Sequence, residues 1–339
     1  MDLLPTEEQS EIVATVRAQL ESDFSLHDLA ARDGADTVVD PAIWGRCAEL
    51  GWFALGLAEE HGGIGYGLVE EALLFEELGA HATPGPFLAT VLGAHVAAAA
   101  GAGELCAAIT GGSTVAALAE PESADATVGP SRVRGRFRVT DHGGADVLVV
   151  LDGDRAAIVD AGAAGLAPQA SLDPLVPLAV ADLDAEPLAA AEDPAIALRA
   201  TVLTSAELAG IARATAQQST EYAKDREQFG RPVGSFQAVK HRCADMAVRA
   251  DAAEQLTHLA ALAVAGGEPD AAFQAEAARV VAGDAAVANA QVNVQNHGGI
   301  GFTWEHTAHR YVTRARVRAA TAGDRHRHLA DLLAQPAPG

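Results

Sequence analysis

Apolar residues return every three or four positions over residues 7–24, where Ile12, Val13, Val16 and Leu20 share one side, and the spacing predicts an amphipathic helix. A second helix is predicted from Pro41, with Ile43, Trp44, Cys47 and Leu50 on its apolar side and Gly51 closing it. A glycine-rich turn, Glu59-Glu60-His61-Gly62-Gly63-Ile64-Gly65, leads into a helix through Val69, Leu73, Leu74 and Leu78 that is expected to stop at Gly79. An Ala-rich stretch over 87–110 reads as further helix. From about residue 115 the period falls to two. Short β-type runs are expected at 114–118, 132–140, 147–151, 156–160 and 178–183, separated by Gly, Pro and Asp. In one of them Arg132, Arg134, Arg136 and Arg138 alternate with Val133, Gly135, Phe137 and Val139. Such an arginine row is a solvated strand face or, alternatively, a contact for a ligand phosphate or a partner subunit. Helical spacing resumes near 195 and is clear in Phe236, Val239, Cys243, Met246, Ala250 and Ala253. Gly266-Gly267 breaks it, Pro269 suits a first helical turn, and the next helix carries Phe273, Ala277, Val280, Val281, Val287 and Val292.

At 339 residues and 49% hydrophobic the chain can bury a large core in two or three subdomains. No uninterrupted apolar run has the length of a membrane span, and the start lacks a basic segment before an apolar one, so neither a membrane nor export is expected. Cys47, Cys106 and Cys243 have neither metal-ligand nor disulfide spacing; they read as small buried thiols in a reducing cytoplasm, with no metal site. The net charge of −23 is uneven. Residues 1–200 hold nine Arg and no Lys against thirty-two acids, whereas 201–339 are balanced. A negative field argues against a nucleic-acid partner and requires local cations or helix N-termini for any anionic ligand.

One run in the balanced part is Arg226-Glu227-Gln228-Phe229-Gly230-Arg231-Pro232-Val233-Gly234-Ser235-Phe236-Gln237, with Lys240 and Ala244-Asp245-Met246 behind it. It resembles the flavin-binding helix junction of acyl-CoA dehydrogenases. A second, Gln295-Asn296-His297-Gly298-Gly299-Ile300-Gly301-Phe302, is similar to that family's Gln-x-x-Gly-Gly-x-Gly loop and lies at the family's distance from the first. Ala119-Glu120-Pro121-Glu122 looks like the Thr-Glu-Pro-Glu turn of the family's β domain, and the turn at 59–65 also fits. The resemblance implies an α+β fold: an N-terminal helical domain (1–112), a small central β-barrel (113–192) and a C-terminal four-helix bundle (193–339). It also implies FAD, held by Arg226, Gln228, Phe229, Gln237, Gln295, Gly298 and Gly299, with the two motifs coming from different subunits around one flavin. The chemistry suits those residue types, because a pyrophosphate needs a planar bidentate cation and backbone amides, and glycine lets the main chain come close.

The same resemblance locates a base. Acyl-CoA dehydrogenation takes the α proton onto a carboxylate, and in most family members that Glu lies twenty-one residues beyond the last Gly of the loop. Counted from Gly301, the position is Ala322, within Thr321-Ala322-Gly323-Asp324. A smaller branch places its Glu twenty-six residues before the Arg226 position, which is Ala200. Both are empty, and no catalytic residue is assigned. Glu207 is seven residues on, about 10 Å along a helix, and reads as a helix or subunit contact; Asp324 is the nearest acid to Ala322, and Glu305 reads as structural. The family's Trp-Ile-Thr strand appears as Arg138-Val139-Thr140, in which Thr140 could still reach the flavin edge. These losses resemble the smaller subunit of heterotetrameric acyl-CoA dehydrogenases, including those acting on steroid side chains. The implied partners are a homologous subunit in an α2β2 assembly, an acyl-CoA substrate and an electron-transfer protein as acceptor. A flavin-free structural subunit is the alternative.

Overall fold

The structure is a computed structural model that describes residues 5–25 and 39–336. Along the chain the order is helical, then β, then helical: α1 (Glu7–Asp23), α2 (Pro41–Glu49), α3 (Leu68–Ala80), α4 (Phe87–Ala99) and α5 (Gly103–Thr110) precede the strands. The strands are β1 (Ala116–Pro121), β2 (Thr127–Val128), β3 (Val133–Thr140), β4 (Val147–Asp152), β5 (Arg155–Asp160), β6 (Ala167–Gln169), β7 (Leu178–Ala185) and β8 (Ala189–Glu192). Then follow α6 (Pro194–Asp225), the hairpin β9 (Glu227–Gln228) and β10 (Arg231–Pro232), α7 (Gln237–Gly266), α8 (Ala271–His297), α9 (Ala308–Arg318) and α10 (Arg325–Ala334). Backbone contacts divide the chain into two compact units, one of Ala31–Glu71 with Pro84–Thr201, the other of Met1–Ala30, Ala72–Thr83 and Val202–Gly339.

In the sheet unit the strand order is β6-β7-β3-β1-β4-β5-β8, with β2 on β3, and every pairing is antiparallel except β1 with β4. The strands β6 and β8 lie at the two ends of this order, and the sheet is the central β part of the expected fold. Val133, Phe137 and Val139 of β3 face a core with Leu148, Val150, Val159 and Leu183. Their arginine neighbours face the other way. Arg134 and Arg136 stand in register with Asp184 and Asp182, while Arg132 binds Asp184 (2.6 Å), Arg136 binds Glu122 (2.8 Å) and Arg138 binds Glu120 (3.1 Å). The row is therefore a solvated face matched by cross-strand acids. Beneath α4 the buried carboxylate of Glu71 is bound by His95 (2.9 Å) and by Arg199. Burial pushes the Glu71 carboxyl up, but the His95 hydrogen bond and the Arg199 charge outweigh it and hold the group below the usual carboxylate range.

The helical unit is built on alanine. In α8 the buried residues include Ala275, Ala278, Ala282, Ala285, Ala286 and Ala290, whereas Phe273, Ala277, Val280, Val281, Val287 and Val292 are half-buried. The expected apolar stripe on that helix is displaced, because the small side chains, not the bulky ones, let α7 and α8 come together. Asn289 completes the contact by donating to the Ala212 (3.1 Å) and Met246 (2.9 Å) carbonyls. Two glycines act likewise. A Cβ on Gly79 would overlap the Glu207 carbonyl, and one on Gly210 would overlap the Glu76 carbonyl, so α3 and α6 touch backbone to backbone. Gly79 is thus a contact glycine inside α3, which runs on to Ala80, rather than its stop. Smaller departures have local causes: Gly101 (φ +70) divides the expected 87–110 helix in two, and Pro269 lies before α8, whose N-cap is Asp270. Cys47 and Cys106 are buried and Cys243 only partly so, and none of the three is in a disulfide. Helix α6 is long and apolar enough to cross a membrane, with a window of mean hydropathy 1.4, but 78% of that window is buried, as in a core helix. Ala, Thr and Ser interrupt its apolar run, which hides the feature in the sequence.

The contact between α3 and α6 gathers charge. Glu77 takes Arg17 (2.9 Å) and Arg213 (2.6 Å), Arg213 also reaches Glu254 (3.1 Å), and His258 lies 3.1 Å from Glu76. Burial lowers the His258 pKa, but the adjacent Glu76 carboxylate and the charge of Glu254 outweigh it and hold the imidazole above its ordinary value. The native state then binds that proton more tightly than the unfolded chain. Its stabilisation is complete below about pH 6.5 and is lost as pH rises through the folded value. Urea denaturation should show the wild type losing stability between pH 6.5 and 8 relative to His258→Gln. In the glycine contact, Gly210→Ala should cost about 3 kcal/mol in thermal denaturation. Gly45→Ala, where a Cβ meets nothing within 4 Å, should be neutral or stabilising by about 0.5–1 kcal/mol.

Candidate functional site

Helix α6 ends at Asp225, and Arg226 begins a tight excursion in which Arg231 pairs with Gln228 and Pro232 with Glu227. Its two central residues, Phe229 (φ +54) and Gly230 (φ +75), both hold the left-handed region that a two-residue hairpin turn requires. Glycine does so freely, but a phenylalanine there is strained by about 1–2 kcal/mol. The Phe229 ring is 91% exposed, and its described ring contact is an edge-on one with Phe236, 6.2 Å between centroids. Arg231 lies over the Phe236 ring at 4.2 Å and stiffens the base of the hairpin. Arg226 and Gln237 are exposed, and neither side chain has a hydrogen-bond or ion-pair partner among the described residues; Gln228 donates only to its neighbour's carbonyl.

The second motif ends α8. Gly298 combines φ +66 with ψ −142, a conformation open only to glycine, and turns the chain into a 3-10 segment over Gly298–Phe302. Gly301 is required by packing, since a Cβ would lie 2.8 Å from the Val294 carbonyl. Gly299 is different. Its φ is not positive and a Cβ would meet nothing within 4 Å, so the chain itself does not require glycine there. Gln295 is exposed, and beyond the glycines Phe302 (75%) and Trp304 (73%) also project into solvent.

Supporting residues that the motifs alone did not reveal join the two segments. The rings of Tyr222 and His297 stack at 4.3 Å, His297 stacks on His306 at 4.3 Å, and His297 Nδ1 hydrogen-bonds the Asn293 carbonyl (2.8 Å). Asn293 accepts from Ser219 (2.8 Å) and donates to Gln218 (3.0 Å). Tyr222 lies one turn before Arg226 and His297 directly before Gly298. The hairpin and the glycine loop of one chain thus share one end of the bundle. Burial pushes both the His297 and His306 imidazoles below their ordinary pKa, so the stack is neutral near pH 7. Thr140 stands apart: buried at the end of β3 opposite Leu118 and Leu178, it belongs to the sheet unit.

At the counted base position the chain makes a closed turn. Ala322 (φ +58) and Gly323 (φ +103) follow α9, and buried Arg279 donates to the Ala319 (3.1 Å) and Thr321 (2.9 Å) carbonyls. His328 hydrogen-bonds the Ala322 carbonyl (3.0 Å) and is held by Glu276 (2.6 Å). Asp324 caps α10 by accepting the Arg327 N–H (2.9 Å), and that backbone bond keeps its carboxyl below the ordinary range. Glu207 accepts from buried Arg318 at 2.8 Å. Ala200 is buried in α6. None of the positions considered for a base offers a free carboxylate.

Residues 6–108 match the acyl-CoA dehydrogenase N-terminal domain and 199–335 the acyl-CoA dehydrogenase C-terminal domain. Over 326 residues the chain is 34% identical to the acyl-CoA dehydrogenase IpdE2 of Mycobacterium tuberculosis, with 92% of each chain covered. This chain belongs to the acyl-CoA dehydrogenase family. It is similar in structure to a chain of the ChsE4-ChsE5 complex of Mycobacterium tuberculosis, with a TM-score of 0.86, 25% identity and coverage of 99% of this chain and 100% of that one. It is also similar to a Tcur3481-Tcur3483 steroid acyl-CoA dehydrogenase variant, with a TM-score of 0.84, 27% identity and 96% of each chain covered. The cofactor of the family is FAD. An unspent guanidinium, exposed amides and a glycine backbone with open space beside it suit its pyrophosphate.

The loop separates two kinds of glycine. Gly299→Val should leave the melting temperature within about 2 °C of wild type, since a surface change away from packing stays within about 0.5 kcal/mol, while lowering bound flavin. Gly301→Val should lower the melting temperature itself. Calorimetry and the visible flavin spectrum distinguish them.

Proposed function

We propose that this chain is one subunit of an FAD-dependent acyl-CoA dehydrogenase that shares its flavin with a homologous partner, and that the partner supplies the carboxylate base. The observation that carries this reading is the turn around Ala322, where the counted base position holds alanine and Arg279 and His328 occupy the surrounding carbonyls. Support for sharing comes from the cofactor end of the bundle. Phe229 is strained yet exposed, and Arg226, Gln237 and Gln295 are unspent, so all four are open to a contact from outside the chain. In this reading Arg226 binds the pyrophosphate, the Gly298-Gly299 backbone approaches it, Gln228, Gln237 and Gln295 hydrogen-bond the nucleotide, and Phe229 packs on it; Thr140 serves the flavin edge.

FAD, when bound, takes up the substrate's β hydrogen as hydride. The chain's own residues hold and orient the cofactor, while the α proton goes to the partner's carboxylate. An α2β2 assembly in a reducing cytoplasm, steroid side-chain CoA thioesters as substrates and an electron-transfer protein as acceptor complete the proposal. The steroid class rests on the likeness to the steroid acyl-CoA dehydrogenase and on no sterol-reading residue of this chain.

Three substitutions test the assignment in the co-purified complex. Arg226→Ala should yield a nearly colourless assembly, since an unpaired pyrophosphate charge costs about 2–5 kcal/mol of binding; undiminished flavin would reject its role. Asp324→Asn and Glu207→Gln should each retain turnover within about tenfold, because loss of a true base costs roughly two to four orders of magnitude. Glu207→Gln should nevertheless lower the melting temperature, as Arg318 loses its buried counter-charge. A thousandfold loss of rate from either substitution, with flavin still bound, would move the base into this chain.

A further inference from the structure

In the sheet unit a pocket of about 280 Å³ lies between the start of α2, the Gly85-Pro86 turn before α4, and the turn after β3. Its walls carry few side-chain polar groups. Pro41, Pro86 and Pro177 fix three sides with locked φ angles, and Gly85, Gly112, Gly143 and Gly144 keep the space open. The rim is tied as well. Asp141 donates its N–H to the Pro177 carbonyl (2.8 Å), and the Val115 N–H donates to the Asp146 carboxylate (2.8 Å). Such a pocket exists before any ligand arrives, so little ordering entropy opposes binding.

One wall is the indole of Trp44. The ring is 5% exposed, clamped by Phe53 at 4.3 Å and Phe87 at 5.1 Å between centroids, and its Nε1–H is buried without an acceptor. Trp44 lines the pocket beside Gly112, and its Cδ1, the atom bonded to Nε1, lies 3.5 Å from where a Cβ on Gly112 would sit. A buried indole usually finds a partner for its N–H, and leaving the donor unsatisfied costs about 1–3 kcal/mol. The motifs that carry the flavin reading do not use Trp44 or any other residue of this pocket.

We infer that this pocket is a binding site for a neutral, mainly apolar, ring-sized molecule that presents one hydrogen-bond acceptor, such as a carbonyl oxygen, to Trp44 Nε1–H. The apolar body occupies the proline- and glycine-walled space, and the acceptor satisfies the indole. Anionic ligands are disfavoured, because the lining is mainly apolar and holds no cation among the described residues.

The test uses the full chain, purified with its partner and labelled with 15N-tryptophan, titrated with 1-decalone and, separately, with decalin, which has the same rings and no acceptor. The Trp44 indole peak is assigned by its loss in Trp44→Phe or, should that variant not fold, by elimination with Trp52→Phe and Trp304→Phe. Decalone should move the Trp44 indole proton downfield in a saturable way that decalin does not reproduce. Trp44→Phe, which keeps the aromatic wall, should weaken decalone binding roughly three- to tenfold, the worth of one hydrogen bond. Val115→Phe, which fills the space, should abolish it. A Trp44 peak that stays in place up to the solubility limit, as it would if the indole served a trapped water alone, overturns the inference, as does decalone binding unchanged by Val115→Phe.

Discussion

The closest constraint in the molecule is the contact of α3 with α6, where Gly79 and Gly210 bring the two backbones together with no side chain between them. That distance sets what can lie beside it. Glu76 and Glu77 are carried into the interior and must be answered by Arg213, Arg17 and His258, because a buried carboxylate without a partner would cost several kcal/mol. The same approach fixes Glu207, which meets Arg318 from α9, and Tyr311 of α9 donates to the Ala80 carbonyl (2.7 Å) where α3 ends. A carboxylate near a family base position is in this way committed to holding helices together.

Close helix packing also explains the composition. Alanine dominates the buried faces of α7 and α8, and Asn289 and Asn293 inside are hydrogen-bonded to the neighbouring helices. A core of small side chains gains less per residue from burial than one of leucine and phenylalanine, so it relies on the number of contacts and on satisfied polar groups. Phe229 holds a left-handed conformation at the tip of an exposed hairpin, at the end of the bundle where Phe302 and Trp304 are also bare.

Charge follows a similar division. The acid excess lies in the first 200 residues, and on the sheet much of it is matched locally, as Asp182, Asp184, Glu120 and Glu122 oppose the arginine row of β3. Arg226, exposed and unspent, belongs to the balanced C-terminal part, and the field of the acidic remainder is screened over about 8–10 Å at ordinary ionic strength.

The sequence by itself was sufficient for the element order and for the places of the junction from Arg226 to Gln237 and of the glycine loop. Those features are local: a turn needs its Gly and its neighbours, and a counted spacing survives without knowledge of the fold. The solvated arginine face was legible for the same reason, being a matter of period two. Tertiary structure alone decided which face of α8 is buried, since the choice between alanine and valine stripes depends on how near the next helix comes. It also decided that Gly79 is a contact and not a helix end, that Arg279 closes the turn at Ala322, and that the Trp44 N–H lies beside a pocket without an acceptor. Each of these depends on an atom far away in the chain, and no propensity or spacing carries that information, because burial and hydrogen-bond satisfaction are properties of the assembled neighbours and not of the residue.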